Sequence, residues 1–452
     1  MMHRRLFLAA GSAAATQALT GCGGGGGSNP TETTPADAEA DMDAAGSRRG
    51  GDTTPASYPT PANPKARVIV VGGGMAGVTA TKYLRMWGDA VDVTLIDRSP
   101  TYTSCIMSSL VLTGQRGLSS LNYGYDAMRS KYGARTEFGD VTEIDPVKAS
   151  VRMASGKVLT ADRIVLAPGI EFDTTPGLTD PDAMPHAWKA GPQTTLLARQ
   201  LSAMPASGVV VLTIPKAPYR CPPGPYERAC LIADWVRRYK PQGKVIVLDA
   251  NPDFVTERDN FSQAFFGLHG AVIEYRTNVV IDHVDQPSKT LFTNTGPVRG
   301  DVVNLIPTQR APDLLKTAGL LNDAAGRFAR VDVRSYASTA APGKVHVIGD
   351  ASATTQPKAG HIANQEAKVL ADALSRIFQG GSPDPAPVTN SACFSTITMS
   401  QASWLHALFQ YDAASGNMVA VPTATGASVG WSSGHFKDMG TWFDALMADS
   451  FA

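Results

Sequence analysis

Two periodicities share this chain, and the places where one gives way to the other mark its elements. Residues 67–71 (Arg-Val-Ile-Val-Val) form a β-branched run that ends in glycines, and residues 78–84 continue with helical character. A second apolar run, residues 91–96, ends in Asp97. Strand-like runs also occupy 161–169, ending in a Pro-Gly turn, and 344–350, ending in Gly-Asp. Between them, 208–214 and 243–249 read as strands flanking a helix near 226–239, while 363–378 reads as a helix with small and apolar residues on one face. Strands alternating with helices predict parallel βαβ units. The expected fold is α/β, with two Rossmann-like dinucleotide-binding domains and a small C-terminal α+β domain. The first domain should be discontinuous, over 66–176 and 302–384, with the second inserted at 177–301 and the third at 385–452.

The N-terminal region breaks this pattern. Residues 23–65 hold almost no large apolar residue and are rich in Gly, Ser, Thr, Pro, Ala and Asp. Such a segment buries too little surface to offset its ordering entropy and predicts a disordered tether. Before it, residues 1–22 resemble an export leader, with Arg4-Arg5 ahead of a modest Ala-rich apolar stretch. Leu19-Thr20-Gly21-Cys22 resembles a bacterial lipobox. The expectation is twin-arginine export to the periplasm, with a lipid anchor at Cys22 as the one membrane contact. A cleaved soluble leader with an incidental cysteine is the alternative.

Charge and cysteine usage narrow the chemistry. The chain has 452 residues, with 40 basic against 40 acidic side chains and no long basic run, so nucleic acid is not an expected partner. Its five cysteines form neither C-x-x-C nor C-x-x-C-H, which argues against zinc ribbons, thioredoxin chemistry and attached c-type haem. No metal site is expected.

The stretch from 67 to 97 carries a dinucleotide fingerprint. Gly72, Gly74 and Gly77 make G-x-G-x-x-G between a strand and a helix, and Asp97 follows twenty residues after Gly77. Gly72 permits the tight turn, Gly74 lets backbone approach a pyrophosphate, and Gly77 lets helix and strand pack closely. Asp97 would accept a hydrogen bond from a ribose. In the second βαβ unit the corresponding turn, residues 215–225, contains five prolines and no such glycine loop. It has few free N–H groups to cradle a pyrophosphate, so NAD(P)H is not the expected reductant.

The strand ends at Gly169 and at Gly349-Asp350, with the helix that follows, resemble the flavin signatures of two-dinucleotide-domain, disulfide-reductase-like flavoproteins. A narrower resemblance rests on residues 102–105 (Tyr-Thr-Ser-Cys), 121–126, 185–191 (P-H-A-W-K-A-G), 304–307 and 347–352. Its most unusual block is R-C-P-P-G-P-Y-E-R-A at 220–229. From about residue 66 onward the chain resembles the flavoprotein subunit of flavocytochrome c sulfide dehydrogenase. The resemblance implies FAD, oxidation of sulfide or a small sulfur compound, and a c-type cytochrome subunit as electron acceptor. It implies that Asp350 holds a ribityl hydroxyl, that the following helix aims its N-terminus at the flavin, and that Cys105 is bonded to the flavin covalently. Cys105 as a small buried hydrophobe is the plainer reading.

The resemblance also implies a redox-active cysteine pair containing Cys221. That residue sits in a proline-stiffened turn before a helix, where the helix N-terminus should lower its pKa. The second cysteine is expected within 322–332, where Ala329 stands instead. A flavin–cytochrome oxidoreductase of different substrate, or a non-catalytic electron-transfer subunit, is therefore the alternative. Cys230 is expected on a buried helix face, and Cys393 in a structural role. Glu227 either stabilises its helix dipole or serves as a general base, and Lys358 either places positive charge near the flavin or lies at the surface. The tail with Trp404, Trp431, Trp442 and Phe443 is expected to pack on the flavin domain and to help form the partner surface.

Overall fold

The computed structural model describes residues 57–452. The leader, Cys22 and most of the tether lie outside the described residues. Among those described, β1 (Ala66–Val71) leads into α1 (Met75–Trp87), followed by β2 (Val91–Asp97), β3 (Arg135–Phe138) and β4 (Arg163–Leu166). The chain then builds β5 (Val209–Ile214), α2 (Gly224–Tyr239), β6 (Lys244–Asp249), β7 (Ile273–Arg276) and β8 (Val302–Asn304). It returns through β9 (Val331–Asp332), β10 (Ala337–Ser338), β11 (Val345–Val347) and α3 (Gly360–Ile377). Three long strands, β12 (Val388–Thr398), β13 (Gln401–Asp412) and β14 (Asn417–Ala427), and the helix α4 (Ser433–Phe451) end it.

The first sheet has the order β9-β10-β11-β4-β1-β2-β3 and is parallel from β11 to β3. Its central strands are buried on both faces, which is why β1 and β2 read as near-continuous apolar runs. α1 lies on this sheet beneath α3 and α4 and is buried along almost its whole length. Its close seat depends on Gly77, because a Cβ there would lie 1.7 Å from the Gly72 carbonyl oxygen.

The second sheet, β7-β6-β5-β8, is wholly parallel. Here the expected boundary needs correction: β8 pairs with β5, Val210 opposite Val302, so the inserted domain includes 302–304 instead of ending at 301. A run of three β residues was too short to assign to one sheet or the other from its pattern. The tether is also shorter than expected. Tyr58 donates its N–H to the Lys131 carbonyl (2.8 Å) and stacks on Tyr132, and Thr60 donates to the Gly133 carbonyl (2.8 Å). Composition hid this docking, since proline-rich sequence with a single aromatic anchor reads as linker.

The C-terminal region is α+β. β12 packs against both α2 and α3, and α4 packs on α1, with Phe443 fully buried in the core that α1 shares, against Tyr123 and Arg116. Strand ends of both Rossmann-like units therefore open toward a space that the third unit partly closes, the crevice in which open α/β sheets bind ligands.

Candidate active site

A cavity of about 760 Å³ occupies that space. Its first wall is the glycine turn after β1. Gly72 has φ +104°, and a Cβ there would meet the Ala167 carbonyl oxygen at 2.3 Å, so only glycine serves. Gly72 and Gly74 line the cavity together with Asp97, whereas Gly77 lies behind them as a packing residue. The Asp97 carboxylate accepts from the Gly73 N–H (2.6 Å) and the Ser99 N–H (2.9 Å), which fixes its orientation at the cavity edge. Lone pairs remain on both oxygens for a ribose hydroxyl.

Gly169 and Gly349, both at φ +71°, turn the chain at the ends of β4 and β11 and form the next wall. Beside them, Asp350 presents a carboxylate whose Oδ1 is buried with no hydrogen-bond partner among the described residues. Burial pushes its pKa up, and Arg220 and Lys358 oppose the rise. The turn is held from behind by Glu366 on α3, whose Oε2 accepts from the Gly349 N–H at 2.5 Å. Burial lifts the Glu366 carboxyl to about 8. Sequence reading missed Glu366; an acid one turn into an apolar helix face was its only signal.

Lys358 does not line the main cavity, but it is buried and not at the surface, and its charge acts on Asp350 in the cavity wall. Its side chain is buried over the Phe328 ring (3.9 Å) and donates to the Ser352 carbonyl (2.7 Å). The cavity-lining cation near Asp350 is Arg220, and its guanidinium is also held by the Trp188 carbonyl. Burial alone would lower the pKa of Arg220, but Cys105, Asp350 and Tyr102 outweigh it.

The remaining wall carries thiols. Cys105 lines the cavity, and its Sγ accepts from the Ala190 N–H at 3.4 Å. Cys221 lines it too, in a left-handed conformation (φ +57°) held by its N–H on the Lys358 carbonyl (2.6 Å). The expected lowering of the Cys221 pKa is reversed. Its enclosed surroundings push it well up, neighbouring Cys393 and Glu227 add to the rise, and Arg220 opposes it. The turn is directly followed by α2, but burial, with Cys393 and Glu227 added, outweighs the lowering by Arg220 and the Gly224 N–H.

Glu227, in the first turn of α2, faces the same cavity and accepts from the Thr396 hydroxyl at 2.9 Å. Its enclosure raises the carboxyl to about 7. Next to it, Arg228 also borders the cavity from a buried position, stacked on Trp188 (4.7 Å) and donating to the carbonyls of His186 and Ala187. Cys230 is buried in the core of the second unit, as expected for a helix-face cysteine. Ala329 is likewise buried away from the cavity, with its N–H on the Ala351 carbonyl. Cys393, by contrast, does line the cavity, which its reading as a structural cysteine did not anticipate. No cluster of three or more His, Cys, Asp or Glu able to hold a metal occurs among the described residues, and none of their helices is long and apolar enough to cross a membrane.

The fit to FAD can be tested on these features. Glycine positions that a Cβ would fill, a carboxylate at the end of β2, an orphaned internal carboxylate after β11 and the N-terminus of α3 all border one volume. They suit a pyrophosphate, a ribose, a ribityl hydroxyl and an anionic ring respectively.

Comparison with known proteins agrees. Residues 194–307 match the family model for the central region of the sulfide dehydrogenase [flavocytochrome c] flavoprotein chain, and 66–203 match that for pyridine nucleotide-disulphide oxidoreductase. The chain is 40% identical over 45 residues to the sulfide dehydrogenase [flavocytochrome c] flavoprotein chain of Chlorobaculum thiosulfatiphilum, covering 10% of this chain and 94% of that sequence. It is 23% identical over 282 residues to the mitochondrial sulfide:quinone oxidoreductase of Mus musculus, covering 57% of this chain and 60% of the mouse protein. The crystal structure of the sulfide:quinone oxidoreductase from Aquifex aeolicus shares its fold, with a TM-score of 0.71 at 15% identity over 85% of this chain and 91% of that one. The chain belongs to the family of flavocytochrome c sulfide dehydrogenase flavoprotein chains, within the disulphide-oxidoreductase-like flavoproteins whose cofactor is FAD.

Proposed function

We propose that this protein is an FAD-dependent sulfide dehydrogenase that oxidises sulfide or another small sulfur compound and passes the electrons to a c-type cytochrome subunit. The observation that carries the reading is the shared cavity, in which the dinucleotide glycines and Asp350 face the same space as Cys221 and Glu227. Gly72, Gly74, Asp97, Gly169, Gly349 and Asp350 would hold FAD, and Cys105 would tether it covalently. When bound, FAD supplies a two-electron acceptor that can release electrons one at a time. Around it, the chain's own groups handle the sulfur. Arg220 places a fixed positive charge beside the thiols and favours an incoming hydrosulfide anion. Cys221 must lose its proton to react, and Glu227, poised near neutrality, is placed to accept it. The cytochrome is supported by the family name shared by the central match and the Chlorobaculum relative.

Anaerobic addition of sulfide to the purified holoprotein tests this. Rapid bleaching of the flavin is expected, and Cys221→Ser should slow it by about 1000-fold or more. An unchanged spectrum would instead favour another substrate or a non-catalytic electron-transfer subunit. For the tether, acid precipitation should leave a yellow pellet from the parent protein and a colourless one from Cys105→Ala. A pellet that stays yellow in that variant refutes the bond. Export by the Arg4-Arg5 leader and anchoring at Cys22 complete the proposal, and recovery of mature holoprotein only from the cytoplasm would count against them.

A further inference from the structure

We propose that Cys393 is the redox partner of Cys221, so that the disulfide which residues 322–332 do not supply forms across the cavity from strand β12. The proposal rests on the sulfide dehydrogenase reading. It starts from how β12 is held. The Cys221 N–H donates to the Lys358 carbonyl (2.6 Å), and three residues on, His361 accepts the Ala392 N–H at Nδ1 (3.0 Å). One short segment at the start of α3 thus grips the turn bearing Cys221 and the residue before Cys393. From the other side, the Thr396 hydroxyl donates to Glu227 (2.9 Å), two residues after Pro225 in the helix that Cys221 precedes. Cys393 lies between these two anchors.

Both sulfurs are free thiols, both residues line the same cavity, and neither is fully exposed. After its enclosure, proximity to Cys393 is the strongest influence raising the Cys221 thiol. The other described cysteines are differently engaged: Cys230 is buried in the core, and Cys105 is held by the Ala190 N–H. Ala329 is buried, forms a backbone bridge with Ser352 and does not line the cavity.

The chemistry balances with FAD as the only oxidant. Hydrosulfide attacks the Cys221–Cys393 disulfide; the bond between the cysteine sulfurs breaks, leaving a persulfide on one and a thiolate on the other. A second hydrosulfide takes the outer sulfur as HSS⁻, and its proton returns to the cysteine. The resulting thiol and thiolate then re-form the disulfide, giving two electrons and one proton to FAD. In sum, two HS⁻ and FAD yield HSS⁻ and FADH⁻.

Peptide mapping tests the pairing without reference to turnover. The air-oxidised, full-length holoprotein is denatured, alkylated with iodoacetamide and digested without reductant. A peptide linking Cys221 to Cys393 is expected, with Cys230 alkylated; anaerobic sulfide pretreatment should free both linked thiols. In Cys393→Ser, Cys221 should become alkylatable in the oxidised protein, with bleaching by sulfide about 100-fold slower. Full alkylation of both thiols in the oxidised parent, or a link from Cys221 to Cys105 or Cys230, overturns the pairing even if sulfide bleaches the flavin. A linked pair in a protein that sulfide does not bleach upholds the pairing and refutes the substrate instead.

Discussion

Glu227 illustrates how little of a side chain's chemistry is in its name. An acid in the first turn of a helix ordinarily lies in solvent and stays ionised, complementing the dipole. This one faces the cavity beside two thiols, and its burial raises the carboxyl to about 7. Below that value it is protonated and cannot take a proton from Cys221; above it, it can. Flavin reduction by sulfide should therefore accelerate as pH rises through about 7. Glu227→Gln should be about 100-fold slower at high pH and lose that limb of the profile. Hydrosulfide formation titrates in the same region but is common to both proteins, so the difference between stopped-flow profiles isolates the carboxyl. Parallel profiles would remove Glu227 from proton transfer. At this scale the glycine fingerprint was legible because strand, turn and helix are contiguous. Cys393 was not, because β12, far along the chain, brings it to the cavity, held by Ala392 on His361 and Thr396 on Glu227. Lys358 was half legible: its burial near Asp350 excludes the surface reading, and its side chain turns back onto Phe328.

Among the elements, α4 shows how packing gives a helix its place. Its Asp449 carboxylate pairs with Lys368 of α3 (2.8 Å), accepts from Asn364 (2.8 Å) and receives the Tyr83 hydroxyl of α1 (2.5 Å). Burial pushes this carboxyl up, but Lys368, Tyr83 and Asn364 outweigh it and hold it below its ordinary 3.8. A depressed acid contributes stability that is present above the unfolded pKa and lost as pH falls through the folded one. Asp449→Asn should thus lower the urea-derived stability by about 1–3 kcal/mol at neutral pH. The gap between variant and parent should shrink below the ordinary carboxylate value; a gap that persists there would mean the loss is steric. Helices and strands long enough to show a period were readable, and α1, α2, α3 and the central strands fall where the pattern put them. β8 was misassigned because three residues show no period, and the segment at Tyr58 because one aromatic docks an otherwise linker-like stretch.

Across the whole molecule, the C-terminal unit ties the two Rossmann-like units together. On the inserted domain it is held by Asp234 accepting the Met399 N–H (2.9 Å), His269 against the Ile397 carbonyl (2.8 Å), and Glu257 accepting from Ser395 (2.6 Å) and Ser403 (2.7 Å). On the flavin domain it is held by His361 on Ala392, by Gln356 donating to Thr389 (2.7 Å), and by Phe443 in the α1 core. Three of these bonds are made to the Asp234 and Glu257 carboxyls, each worth about 0.5–3 kcal/mol, so opening one domain alone would break most of them together. The paired thiols proposed above sit at this junction, one on the turn before α2 and one on β12, so their spacing depends on all three units. The two dinucleotide-type domains should consequently unfold as one cooperative body despite their separate cores. On heating the holoprotein, tryptophan emission and the rise of flavin emission should trace the same transition within about 2 °C. Flavin emission that rises in an earlier, separate step would show that the flavin domain opens independently and that the third unit does not act as a clamp.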